Sequence, residues 1–187
     1  MGNSLRTLTT AKFMAALFNF DLSKPNIEIL DAGAGTGILS AAVVQRLVEN
    51  GYQGHIHITC YETDNIVLPL LEKNMSVIME QADVSYIIKN ENYITSQPFG
   101  INSLFQDNEN IYDYVIGNPP YLKILKDANE AKAMPSVCHG APNLYFLFWA
   151  MGIYNLKQGQ ELVYIVPRSW TSGAYFKKLE SIYLIIV

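Results

Sequence analysis

Apolar residues along the chain fall into short blocks whose period switches repeatedly between that of a strand and that of a helix. Residues 9–20 carry helical spacing, Ile27–Ala32 is a short apolar run of the kind buried inside a sheet, and Gly37–Asn50 returns to helical spacing. His55–Tyr61 alternates as a strand does. Asn65–Gln81 reads as a helix with Pro69 near its first turn, and Ser85–Lys89 as a short strand. Residues 90–110 are polar and irregular. Tyr112–Gly117 is an apolar strand, and 122–142 reads as a polar loop holding Pro135, His139, Gly140 and Pro142. Leu144–Leu156 is an aromatic helix, Glu161–Val166 a strand, Trp170–Leu179 a final helix and Tyr183–Val187 an apolar tail. Strands alternating with helices predict an α/β domain: a mostly parallel sheet of about five strands with helices on both faces. Ligands of such sheets bind beyond the carboxyl ends of the strands, where the strand order reverses.

Two strand ends carry the chemistry. The apolar run Tyr112–Gly117 stops abruptly at Asn118-Pro119-Pro120-Tyr121. Neither proline has an N–H, each fixes its own φ, and Pro119 pushes Asn118 toward extended geometry. The result is a rigid group of hydrogen-bond acceptors beside an aromatic ring, suited to gripping a planar amine. The other end is Asp31-Ala32-Gly33-Ala34-Gly35-Thr36-Gly37, a glycine-rich turn between a buried strand and a helix. Glycines let backbone approach a ligand closely. The spacing differs from the G-x-G-x-x-G of a dinucleotide site. Alone it fits an ordinary tight turn as well as a cofactor loop. Glu62, followed by Thr63 at the end of the next strand, is placed to accept both hydroxyls of a ribose. An acid before the glycines and another after the next strand suit a nucleoside ligand without a pyrophosphate, and S-adenosylmethionine meets that description.

Asp31–Gly37, Tyr61-Glu62-Thr63-Asp64 and Asn118–Tyr121 resemble, in order, motifs I, II and IV of amino-methyltransferases. Asn143–Phe148 is similar to motif V, and Leu162–Trp170 with Ser172–Leu179 to the blocks after it. More closely, the chain resembles the gamma-type N6-adenine DNA methyltransferases of bacterial restriction-modification systems, including fused type IIG enzymes and phage-defence methylases. The resemblance implies a Rossmann-like class I methyltransferase fold across residues 1–187, without the family's target-recognition domain. It also implies S-adenosylmethionine as cofactor and methyl transfer to the N6 amine of a flipped adenine in DNA. Asn118 and Pro119 would accept the amine hydrogens, with Pro120 fixing the turn and Tyr121 stacking on the base. Asp31, Ala32, Gly33, Gly35, Thr36, Gly37, Glu62, Thr63, Asn92, Tyr93 and Asn118 would line the cofactor. Asn92 stands where the family has an Asp for the cofactor's adenine amine; a plain loop-turn role is equally open to it. Phe146 reads either as core or as a second contact to the base. Arg168, Lys177 and Lys178 are candidate phosphate contacts or solvated surface.

A related class, which methylates a glutamine of translation release factors, also carries Asn-Pro-Pro-Tyr. Its usual Glu-Pro and Gly-rich continuation is replaced here by Leu122-Lys123-Ile124-Leu125. The family fold has seven strands and this chain has room for about five. A truncated, incomplete domain is therefore expected, one that binds cofactor and needs a specificity subunit or further region. Net charge is −4, so broad attraction to a polyanion is absent from this chain itself. Two cysteines form neither a disulfide framework nor a zinc site, no metal is expected, and no apolar run reaches membrane-span length. The cytoplasm is the expected compartment, with DNA as partner.

Overall fold

A computed structural model of the chain describes residues 2–99, 111–138 and 142–166. The elements run α1 (Gly2–Ala16), β1 (Asn26–Ala32), α2 (Ile38–Glu49), β2 (His55–Tyr61), α3 (Leu68–Met79), β3 (Val84–Lys89), β4 (Tyr112–Gly117), α4 (Asn129–Ala133), α5 (Leu144–Asn155) and β5 (Leu156–Tyr164). The expected helix at Trp170–Leu179, the tail at Tyr183–Val187, and His139, Arg168, Lys177 and Lys178 lie outside the described residues.

The five strands form one sheet in the order β3-β2-β1-β4-β5, and every pairing is parallel. The chain steps outward from β1 to β3 and later returns beside β1 as β4, so the order reverses between β1 and β4. One face packs Ile29, Ile58, Tyr114 and Ile116 against α1, α2 and α3, through Met14, Leu47, Leu71 and Met75. The other packs Leu30, Val115 and Tyr61 against α4 and α5, through Ala131 and Met134 on one side and Leu147 and Met151 on the other. Each fully buried aliphatic side chain contributes roughly 2 kcal/mol. The helix α5 is apolar almost all round, which is the signature of a helix enclosed by neighbours.

Four elements differ from the expectation. The first helix begins earlier and ends at Ala16. The third starts only at Leu68, because the Asp64 side chain and carbonyl hold residues 66–68 in a turn. A single helical turn, α4, interrupts the polar stretch after β4. Strand β5 begins at Leu156 rather than Glu161: Tyr112 pairs with Leu156 and Tyr114 with Glu161, so the polar residues between bulge outward around Gly159 (φ 78°).

The amino-terminal ends of the strands are stitched by Asp113, a carboxylate only 1% exposed within an otherwise apolar strand. It accepts from Lys24 Nζ (2.6 Å), the Glu28 amide (2.9 Å) and Lys157 Nζ (3.1 Å). One carboxylate thus joins the loop before β1, β1 itself and β5. Burial pushes its pKa up, but the two ammonium groups and the amide outweigh burial and leave it below the ordinary value. Nearby, the Asp21 amide donates to Tyr114 Oη (2.8 Å), and Phe18 and Phe20 pack edge-on to that ring. These contacts leave the carboxyl ends of β1, β2 and β4 free for chemistry.

Candidate active site

Gly33, Gly35 and Gly37 all have positive φ (75°, 55° and 78°), which side-chain-bearing residues adopt only with strain. The Gly33 and Ala34 amides both donate to the Tyr61 carbonyl (3.0 and 2.9 Å), folding the loop over the end of β2. Gly37 opens α2, and a Cβ there would stand 2.9 Å from Leu71 Cδ1. The Thr36 carbonyl accepts from Asn74 Nδ2 (2.8 Å). Ala32 is buried in the second core.

Asp31 does not face the cleft: it is fully buried beneath the loop. Its Oδ2 accepts from Ser40 Oγ (2.6 Å) and the Ser40 amide (3.2 Å), so it caps the first turn of α2. Its Oδ1 is buried without a partner. Burial raises its pKa from 3.8 to about 6; the Ser40 bonds oppose the shift and the Glu62 carboxylate adds to it. The spacing marked Asp31 as important, and the structure makes it a support of the loop.

Glu62 is the loop's second anchor. Its Oε2 accepts from the Gly35 amide, and Oε1 from the amides of Thr63 and Asp64, each at 2.8 Å. Three amides fix the carboxylate and fill three of its four lone-pair sites, leaving one open on Oε2. Beside it opens a cleft of about 280 Å³ lined by Gly33, Tyr61, Glu62, Thr63, Glu91, Tyr93, Asn118, Pro120 and Phe148. It spans the reversal point between β1 and β4.

Asn118 and Pro120 are exposed while Pro119 is buried and anchors the turn. Tyr121 is half exposed; its hydroxyl lies 3.0 Å from Asn118 Oδ1 and 3.1 Å from the Ile165 carbonyl, one proton serving two acceptors. Burial raises its pKa, which keeps the hydroxyl a donor. The Tyr145 ring meets it edge-on at 6.2 Å.

Two further expected side chains, Phe146 and Asn92, are absent from the cleft wall. Phe146 and Phe148 are equally buried in the core of the α5 face, and of the two only Phe148 also lines the cleft, 3.7 Å from where a Gly33 Cβ would stand. Asn92 accepts the amides of Ile94 (3.0 Å) and Thr95 (3.3 Å) and donates to Glu130 Oε1 (2.8 Å), holding the loop after β3. Tyr93 does reach the cleft wall, with its hydroxyl donated to the buried Asn155 Oδ1 (2.8 Å). Sequence reasoning missed Glu91, Phe148 and Asn155. An all-apolar helix gives no sign of which aromatic reaches the cleft.

The architecture is that of class I methyltransferases. It aligns with a Listeria monocytogenes protein described as a class I S-adenosylmethionine-dependent methyltransferase (TM-score 0.66, 19% identity, 94% of this chain and 49% of that one). Residues 56–186 match the family of the Eco57I restriction-modification methylase, and the chain belongs to that family. Among its curated relatives, the type II methyltransferase M.PstI of Providencia stuartii is 35% identical over 94% of this chain and 35% of its own length. M.BsuBI of Bacillus subtilis is 31% identical over 88% and 33%. The chain thus spans about a third of the length of these two relatives.

S-adenosylmethionine is the cofactor expected of this family and fold, and the cleft suits it. The lining carries two carboxylates and no basic side chain, which favours a cationic sulfonium and opposes a pyrophosphate. Gly33 leaves the room that a Cβ would fill against Phe148. Among the described residues no cluster of His, Cys, Asp and Glu could hold a metal ion, and no helix is long and apolar enough to cross a membrane.

Proposed function

We propose that this chain is the catalytic core for methyl transfer to the N6 amine of adenine in DNA, within a restriction-modification or phage-defence system. The observation that carries the reading is the placement of Asn118. Its side chain is exposed at the carboxyl end of β4, on the same cleft as Gly33 and Glu62. Bound S-adenosylmethionine supplies an electrophilic methyl group. Glu62 accepts a ribose hydroxyl on the open site of Oε2, and Thr63, Tyr93 and Phe148 form the apolar and polar walls around the nucleoside. Asn118 Oδ1 and the Pro119 carbonyl accept the two hydrogens of the target amine, drawing its nitrogen toward tetrahedral geometry and freeing the lone pair. Tyr121 stacks on the base once its hydroxyl releases Asn118. After transfer the surplus proton leaves to solvent, which the exposed Asn118 side chain reaches. No base of tuned pKa is required; the rate enhancement comes from positioning.

An adenine paired in a duplex cannot reach Asn118, so the base is flipped out. With a net charge of −4 the chain offers little general attraction to phosphate. Grip on the duplex is therefore assigned to further polypeptide, either a specificity subunit or another region. The deciding experiment incubates the chain with methyl-labelled donor and mixed-sequence DNA, then digests the DNA to nucleosides. Label in N6-methyladenine supports the proposal. In a parallel reaction with release factor in place of DNA, label on its glutamine instead identifies the related protein methyltransferases, and donor binding without transfer in either reaction identifies a cofactor-binding unit that depends on a partner.

A further inference from the structure

The cleft is built from the ends of four neighbouring strands. Asn118 follows β4, Gly33 follows β1, Glu62 follows β2 and Glu91 comes two residues after β3. Neighbouring strands are about 4.8 Å apart, so three spacings separate Asn118 from Glu91 by roughly 14 Å. A methyl donor with its sulfonium facing Asn118 and its ribose on Glu62 therefore carries its base beyond β2, toward the loop after β3.

The exocyclic amine of that base needs an acceptor. Asn92 has already committed its carbonyl to two loop amides and its amide group to Glu130, and it is absent from the cleft wall. Turning it to the ligand would leave the amides of Ile94 and Thr95 unpaired. Glu62 is held by three amides at the ribose position. Glu91 lines the cleft, is exposed, and makes no hydrogen bond or ion pair among the described residues. An ionised carboxylate accepts and never donates. It attracts the amine of adenine and repels the carbonyl that hypoxanthine presents at the same position.

We propose that Glu91, rather than Asn92, accepts the exocyclic amine of the donor's adenine and selects an adenosyl over an inosyl ligand. The inference rests on the cofactor reading above and is independent of the DNA substrate.

Calorimetric titration of the chain with S-adenosylhomocysteine and with S-inosylhomocysteine tests it. Solvent weakens a bond to an exposed carboxylate, so the expected preference for the adenosyl ligand is about tenfold. Glu91→Ala should abolish the preference, and Glu91→Gln, which keeps a carbonyl acceptor, should retain part of it. Asn92→Asp, which preserves the turn acceptor, should leave it unchanged, as should Asn92→Ala if its thermal melt shows an intact fold. Persistence of the preference in Glu91→Ala, or its loss in a folded Asn92 variant, overturns the proposal. Equal binding of both ligands by the wild type overturns it while leaving the cofactor reading standing. Binding of neither ligand defeats both.

Discussion

The Tyr121 hydroxyl lies 3.0 Å from Asn118 Oδ1, so the two side chains assigned to one substrate already bond to each other. The hydroxyl occupies one of the two lone pairs of Oδ1, so an incoming amine competes with it for Asn118. A neutral hydrogen bond has a net worth of about 1 kcal/mol, or roughly fivefold in an equilibrium. Tyr121→Phe keeps the ring and removes the competitor, so kcat/KM for methyl transfer should rise by up to about fivefold. Tyr121→Ala removes the stacking surface as well and should lower kcat/KM by about ten- to a hundredfold. Initial-rate measurements on the two variants check the pair. A fall in Tyr121→Phe would show that the hydroxyl itself takes part in the reaction.

Asn118→Ala should abolish methyl transfer while leaving affinity for S-adenosylhomocysteine within about threefold of wild type. Both residues line one cleft, and in the proposed mechanism Asn118 holds the target amine while Glu62 holds the ribose. Parallel binding and transfer assays separate the two effects, and near-normal turnover in the variant would remove Asn118 from the mechanism.

Asp31 gives stability a distinctive pH signature. Its folded-state pKa, about 6, lies above the ordinary 3.8, so between those values the folded chain holds a proton the unfolded chain has released. Its contribution is therefore fully present below about pH 4 and is lost as pH rises through 6. A shift of about two units corresponds to roughly 3 kcal/mol. Asn at this position has no charge to lose. Asp31→Asn should gain that amount relative to wild type between pH 4 and pH 7, read from urea melts at the two values. A pH-independent difference would contradict the assignment.

Asp113 works in the opposite sense. Its folded pKa lies below the ordinary 3.8, so its contribution is present above that value and disappears as pH falls through the lower folded value. Asp113→Asn strands Lys24 and Lys157, both of which keep some solvent (25% and 40% side-chain exposure). The expected cost at pH 7 is about 2 kcal/mol, shrinking in strong acid. Because Asp113 sits at the far end of the strands from the cleft, ligand affinity should hold wherever the variant remains folded.

The three positive-φ glycines should respond unequally to alanine. At Gly35 nothing lies within 4 Å of a new Cβ, so Gly35→Ala costs only backbone strain, about 1–2 kcal/mol. At Gly37 the Cβ would also strike Leu71 at 2.9 Å, so Gly37→Ala should cost about 1–3 kcal/mol more. Thermal melts of the two variants compare them directly.

Much of the fold was legible because the signals were local. The strands at β2 and β4 match the apolar runs residue for residue, and the switch of period between strands and helices gave the α/β class. Departures arose where side chains act at a distance. Lys157–Gln160 is too polar to read as strand, yet backbone pairing of Leu156 with Tyr112 starts β5 there. Asp113 lies inside a run read as apolar, and its partners come from a loop 89 residues earlier and a strand 44 residues later. From its place before the glycines Asp31 reads as an acceptor for a ligand or for loop amides, and only the packing of α2 shows its carboxylate turned under the loop to Ser40.

The sequence by itself determined the alternation of elements, the two motif-bearing strand ends and the rigid Asn118–Tyr121 turn, because periodicity, glycine and proline act on the backbone within a few residues. Only the tertiary structure decided that β4 returns beside β1 to bring those ends together. It alone decided that Phe148 rather than Phe146 faces the cleft, and that Glu91 stands open while Asn92 is spent on its own loop. Those outcomes depend on which groups distant in sequence compete for the same space and the same hydrogen bonds.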